Sequence, residues 1–176
     1  MASLPKTSLT TLGTLGACFA LSAHAQTPAP ESTDPAALRA DVAHLKDISP
    51  GQSLAMTQVA YNFSNLWFAA QAGNWPLAQF YYGDARGRLR WALRITPVRK
   101  ISTGDLVLQP LLDALEKGPY ARLGEVIAAK DSKQFEAAYR ATLEACQSCH
   151  VASEKPYLRL QVPKVPAEPM IDFTPR

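Results

Sequence analysis

The sequence predicts an all-α protein, a four-helix bundle with a Pro-rich C-terminal tail. Three observations carry this. Four successive segments between residues 52 and 150 place apolar side chains at i, i+3, i+4 and i+7, and no segment alternates with period two. Glycine and proline mark the joins, at Gly73-Asn74, Pro97 and Gly118-Pro119. The 26 residues after His150 hold five prolines, which no regular helix accommodates.

The elements follow in order. Gln26–Pro35 reads as a flexible leader, and Ala36–Asp47 as a short helix. Ser49-Pro50 supplies an N-cap and a proline suited to the first helical position. The first long helix, Gln52–Ala72, carries the stripe Met56, Val59, Ala60, Phe63, Leu66, Trp67 and Ala70 and ends at Gly73-Asn74. Pro76 opens the second, with Ala78, Tyr81, Tyr82, Ala85, Leu89, Ala92 and Leu93 facing inward. Gly83 and Gly87, four apart, would permit a close helix approach. Ser102-Thr103-Gly104-Asp105 is a turn. Leu106–Lys117 is helical in pattern, breaks at Gly118-Pro119 and resumes over Tyr120–Lys130. Asp131 caps the last helix, whose inward residues are Phe135, Ala138, Tyr139, Thr142, Cys146 and Cys149. The short join at Lys130-Asp131 makes its flanking helices antiparallel. The tail's apolar members, among them Tyr157, Leu158, Met170 and Phe173, favour wrapping on the bundle.

Composition narrows the function. At 176 residues the chain suits one domain with tails, and 47% hydrophobic residues suffice for a core. No apolar run reaches the roughly 18–20 residues a membrane span requires. A formal net charge of +3 is too small to argue for nucleic acid or an anionic membrane as partner.

Residues 1–25 read as a signal peptide: Lys6, a mildly apolar stretch from Leu9 to Leu21, then Ala23-His24-Ala25 before Gln26. Cleavage there leaves 17 basic and 15 acidic residues, a net charge of +2. Leu15-Gly16-Ala17-Cys18 loosely resembles a lipoprotein box, a weaker alternative because the apolar run continues past Cys18. The expected organisation is therefore a signal peptide over 1–25, a leader over 26–48, a helical bundle over 49–155 and a tail over 156–176.

Two cysteines remain after cleavage, and both lie in Cys146-Gln147-Ser148-Cys149-His150. This is C-x-x-C-H, the attachment sequence for a c-type haem. Two thiols three residues apart can reach both vinyl groups of one porphyrin, and the next histidine then sits under the iron. Haem c is attached outside the bacterial cytoplasm, which agrees with export. The alternatives are weaker. A thioredoxin-like site needs a β-α-β context, a zinc site needs ligands beyond His44 or a carboxylate, and a disulfide across one helical turn is poorly placed.

A four-helix pattern with C-x-x-C-H on its last helix resembles the class II c-type cytochromes, the cytochrome c′ group. The resemblance covers about residues 50–155. It implies one covalent haem c on Cys146 and Cys149, iron ligation by His150, and a haem whose opposite face meets the first long helix. It also implies a homodimer through the first helices. Three features depart from the group: Val151-Ala152-Ser153-Glu154 follows the motif where an aromatic and a basic residue are usual, the third helix is broken, and the chain runs on into a tail. The segment from Leu66 to Ala78 is similar to one in a group of small exported haem proteins.

The sixth iron ligand decides the role. Met56, on the inward stripe of the first long helix, is the leading candidate; Met170 and His44 follow. With two axial ligands the protein would be an electron carrier, a periplasmic monohaem cytochrome that meets a periplasmic redox partner protein and is not an enzyme. With an open iron face, screened by Phe63, it would bind NO or CO. A third reading docks the tail on a larger respiratory complex. Arg86, Arg90 and Arg94 share a helix face, read as solvated or as pairing with haem propionates or an acidic partner.

Overall fold

The computed structural model describes residues 34–175. The expected signal peptide, Cys18 and residues 26–33 of the leader lie outside the described residues. The chain divides between His44 and Leu45 into two units. The described residues are mainly helical: α1 (Pro35–Ile48), α2 (Gln52–Gln71), α3 (Trp75–Ile95), α4 (Gln109–Lys117), α5 (Pro119–Ala128) and α6 (Ser132–Ala152). A hairpin of β1 (Val98–Ile101) and β2 (Gly104–Val107) joins α3 to α4. No helix among the described residues is long and apolar enough to cross a membrane. The expected short helix within the leader is present as α1, which buries none of its residues.

In the second unit α2 packs along α3, α5 along α6, and α2 also meets α6. The α2–α3 join is a Schellman turn. Gly73, at φ +72°, donates to the Ala70 carbonyl, and Asn74 donates to that of Ala69. Asn74 then caps α3 by accepting from the Leu77 amide. Lys130 closes α5 in the same way at φ +55°, and the Asp131 carboxylate caps α6 by accepting from Lys133 and Gln134, as expected. Gly118 separates α4 from α5. A Cβ there would lie 2.9 Å from the Ala114 carbonyl, and Pro119 gives up no hydrogen bond at the first position of α5.

Four expectations need correction. Ser49-Pro50 does not cap α2; Gly51 stands at the N-cap and the helix begins at Gln52. Residues 106 and 107 are strand rather than helix, because the Ser102-Thr103 turn closes a hairpin with Ile101 opposite Gly104. Gly104 holds φ +127°, which glycine adopts without strain. On α2, Ala60 is exposed, while Asn62 and Asn65 are buried. Asn62 donates to Asp84 Oδ2 at 2.6 Å on α3 and to the Gln58 carbonyl at 3.0 Å. Finally, Gly83 and Gly87 face open space. The close helix approach is at Gly124, where a Cβ would lie 2.5 Å from Tyr82 Oη.

The core is aromatic where α2, α5 and α6 meet. Phe63 stacks on Tyr139 with centroids 4.7 Å apart, and the Tyr139 hydroxyl donates to the Phe63 carbonyl at 2.8 Å. Trp67 lies against both Tyr139 and Phe135. The tail lies on this body. Phe173 packs on Phe68, the Ala167 amide donates to Asn65 Oδ1 at 3.3 Å, and Asn74 Nδ2 donates to the Thr174 carbonyl at 3.3 Å.

Candidate haem site

Cys146, Cys149 and His150 occupy the last two turns of α6. An i, i+3 pair faces one way along a helix, so both thiols are offered to one object. Both are free thiols and partly exposed. Cys146 borders the core, and burial pushes its thiol up to about 12. Cys149 is raised too, first by burial; a hydrogen bond with Ser153 and the Arg99 guanidinium act in the opposite direction. The thiol nearer the helix end is thus the more readily ionised of the two.

His150 is partly exposed at the third position from the end of α6. Its Nδ1 lies 3.2 Å from the Leu158 carbonyl oxygen. A carbonyl can only accept, so this contact is a hydrogen bond when Nδ1 carries a proton, and in the neutral ring that leaves the lone pair on Nε2. Iron ligation requires that arrangement.

The residues present fit a covalently held haem. Two reduced thiols share a face, the adjacent imidazole has Nδ1 engaged and Nε2 without a partner contact, and all three residues are partly exposed. Among the described residues no three His, Cys, Asp or Glu side chains cluster as a cage for a bare ion. A haem iron brings its own four nitrogen donors and asks for one imidazole here.

The candidate sixth ligands are placed differently. Met56 is half-buried in the second turn of α2 and packs against the core that Cys146 also borders. Met170 is 83% exposed in the tail. His44 is exposed on α1. Phe63, expected as a screen over the iron, is an interior residue stacked on Tyr139.

Two of the three arginines on the arginine face of α3, Arg86 and Arg90, pair within the protein, and Arg94 is exposed. Arg90 holds Glu116 of α4 through Nε and Nη2, at 2.8 and 2.9 Å, and Arg86 reaches the same carboxylate at 3.1 Å. These guanidiniums hold the Glu116 carboxyl below its ordinary value. A cleft of about 510 Å³ beside them is lined by Arg90, Arg94, Asp113 and Glu116 among others, two charges of each sign. It offers no net attraction for an anion.

Arg99 is the residue the sequence did not single out. It sits on β1, its guanidinium reaches Gln52 Oε1 in the first turn of α2, and it favours the ionised form of Cys149. Gln52 is itself held by the Ala92 carbonyl, to which its Nε2 donates at 3.2 Å. One of two adjacent basic residues in a four-residue strand carries no signal in sequence.

No family model, curated protein or solved structure matches the chain.

Proposed function

We propose that this protein is a periplasmic monohaem c-type cytochrome of cytochrome c′-like, four-helix architecture, working in electron transfer rather than catalysis. One observation carries the proposal: Cys146 and Cys149 stand free on one face of α6 while the next residue, His150, keeps Nε2 open for a metal. The packing of α2 on α3 and of α5 on α6 supports a four-helix arrangement in which α4 and α5 together fill the third position. The C-x-x-C-H spacing and the expected signal peptide support a haem attached outside the cytoplasm.

The haem, when bound, supplies a one-electron couple. The residues of the chain do the rest. Cys146 and Cys149 would anchor the group to α6, and His150 would hold its iron through Nε2. Met56, held by α2 at the margin of the core, would supply a second protein ligand to the iron. The interlocked aromatics Phe63, Trp67 and Tyr139 tie α2 to α6, so the helices that carry Met56 and His150 resist relative movement. A carrier whose ligands stay put loses little to reorganisation on electron exchange. Its partner would be a periplasmic redox protein.

The test is carbon monoxide added to the ferrous protein. An unchanged spectrum, with CO binding acquired by Met56→Ala, supports a second axial ligand and the electron-carrier role. Immediate CO binding by the unaltered protein overturns that role in favour of NO or CO binding at an open face.

A further inference from the structure

We propose that the segment Glu154–Leu160 is a strap that fixes the tautomer of His150, with the Leu158 main-chain carbonyl as the acceptor. Its effect on an iron rests on the haem reading above; its effect on the imidazole does not.

The strap begins where α6 ends. Glu154 takes a left-handed conformation at φ +56°, and two backbone bonds close the helix there. The Glu154 amide donates to the Val151 carbonyl at 3.0 Å, and the Lys155 amide donates to that of His150 at 2.8 Å. The chain then reverses. The Leu158 amide donates to the Lys155 carbonyl at 3.0 Å across a turn with Pro156 at its second position. This turn carries the Leu158 carbonyl back along α6 to His150 Nδ1, at 3.2 Å.

Two anchors keep the strap in place. The Glu154 carboxylate accepts from the amide of Ser102 at 2.8 Å and from its hydroxyl, which fastens the strap to the tip of the hairpin. At the far end the Leu160 amide donates to Gln147 Oε1 at 3.0 Å, within the motif itself. The acceptor is thus fixed from both sides by residues other than the three that would hold the haem. A histidine whose Nδ1–H is engaged presents Nε2 to a metal in one orientation and is a more basic ligand. A more basic ligand favours the ferric state and lowers the reduction potential. Leu158 is a positioning residue that acts through its carbonyl; its side chain is exposed.

The experiment uses the full chain in haem-free form and as exported. Nitrogen-15 resonances of the haem-free chain, recorded at a pH where imidazole is neutral, should show His150 protonated at Nδ1. In a Glu154→Gly, Gln147→Ala double variant, Nδ1–H exchange should quicken by about tenfold, as expected for a lost hydrogen bond. Glycine at 154 keeps the left-handed helix end, so the variant releases the anchors without unwinding α6. In the exported, haem-bearing chain the same variant should show a raised reduction potential. An Nε2–H tautomer in the unaltered haem-free chain overturns the proposal, as does unchanged exchange in the double variant. An exported chain with no haem but an Nδ1–H tautomer would sink the cytochrome reading and leave the strap standing.

Discussion

Tyr82 and Tyr120 exchange hydrogen bonds: the hydroxyl of each donates to the backbone carbonyl of the other, at 3.1 and 2.5 Å. Their rings stack with centroids 4.6 Å apart. The pair locks α3 to α5, and it does so over Gly124, whose missing side chain makes room for the Tyr82 ring. Tyr120 is 1% exposed, so its hydroxyl has no water to fall back on. Tyr120→Phe should cost about 1–1.5 kcal/mol, and Gly124→Ala about 1–3 kcal/mol through overpacking, both read from urea unfolding. Tyr82 cannot swing away from the new methyl group without losing both the stack and its hydrogen bond. A neutral Gly124→Ala would contradict this packing.

Beside Glu154 at the end of α6, two further helix ends of the second unit rest on left-handed residues, which the sequence fills differently. Gly73 sits at φ +72° and Lys130 at φ +55°. Lys130→Gly should therefore raise stability by roughly 0.5–1 kcal/mol, while Gly73→Ala should lower it by about 1 kcal/mol. Thermal unfolding of the two variants checks opposite signs at equivalent positions.

Alkaline pH should destabilise the haem-free chain. Burial raises Cys146 from 9.0 to about 12 and also raises Tyr120 and Tyr139 above their ordinary value of 10.0. A group whose folded value is raised stabilises fully below its unfolded value, and that stability is lost as pH rises through the folded one. The decline should begin near pH 9 with Cys146 and steepen above 10 as the tyrosines of the unfolded chain ionise. Covalent haem attachment removes the thiol contribution, so the exported protein should begin its decline about one pH unit later. Urea midpoints measured across the alkaline range give the comparison.

The two thiols should differ in reactivity. Cys146 is the more deeply buried and is held at about 12, whereas Cys149 gains some ionisation from Ser153 and Arg99. Iodoacetamide should modify Cys149 first in the haem-free chain, with mass mapping to identify the site. Arg99→Leu should slow that reaction and leave Cys146 unchanged.

What the sequence revealed is local. The α6 cap at Asp131, the break at Gly118-Pro119 and the joined thiols and imidazole of the motif are all encoded within a few residues of where they act. The hairpin was illegible because its strands are four residues long, one of them Val-Arg-Lys-Ile, too short for alternation to stand out. Pro97 and the turn at Ser102–Gly104 were visible, but Leu106 fitted a helical stripe as well as a strand. The pairing of Arg86 and Arg90 is not legible in the sequence because their partner, Glu116, lies 26 residues beyond Arg90. Asn62 and Asn65 carry no apolar signal in the sequence, yet both are buried: Asp84 of α3 meets Asn62 and the Ala167 amide of the tail meets Asn65 Oδ1, while the buried Asn65 Nδ2 has no hydrogen-bond partner among the described residues. The same holds at the proposed haem site. Cys146, Cys149 and His150 could be read directly, but the Leu158 carbonyl and Arg99 come from the tail and the hairpin, and only the folded chain brings them to α6.

The covalent haem is the central claim, and acid–acetone extraction of the exported, purified protein tests it most directly. The predicted result is a Soret band that stays with the polypeptide, as thioether bonds at Cys146 and Cys149 require. A colourless chain, or a haem that passes into the organic phase, would contradict it.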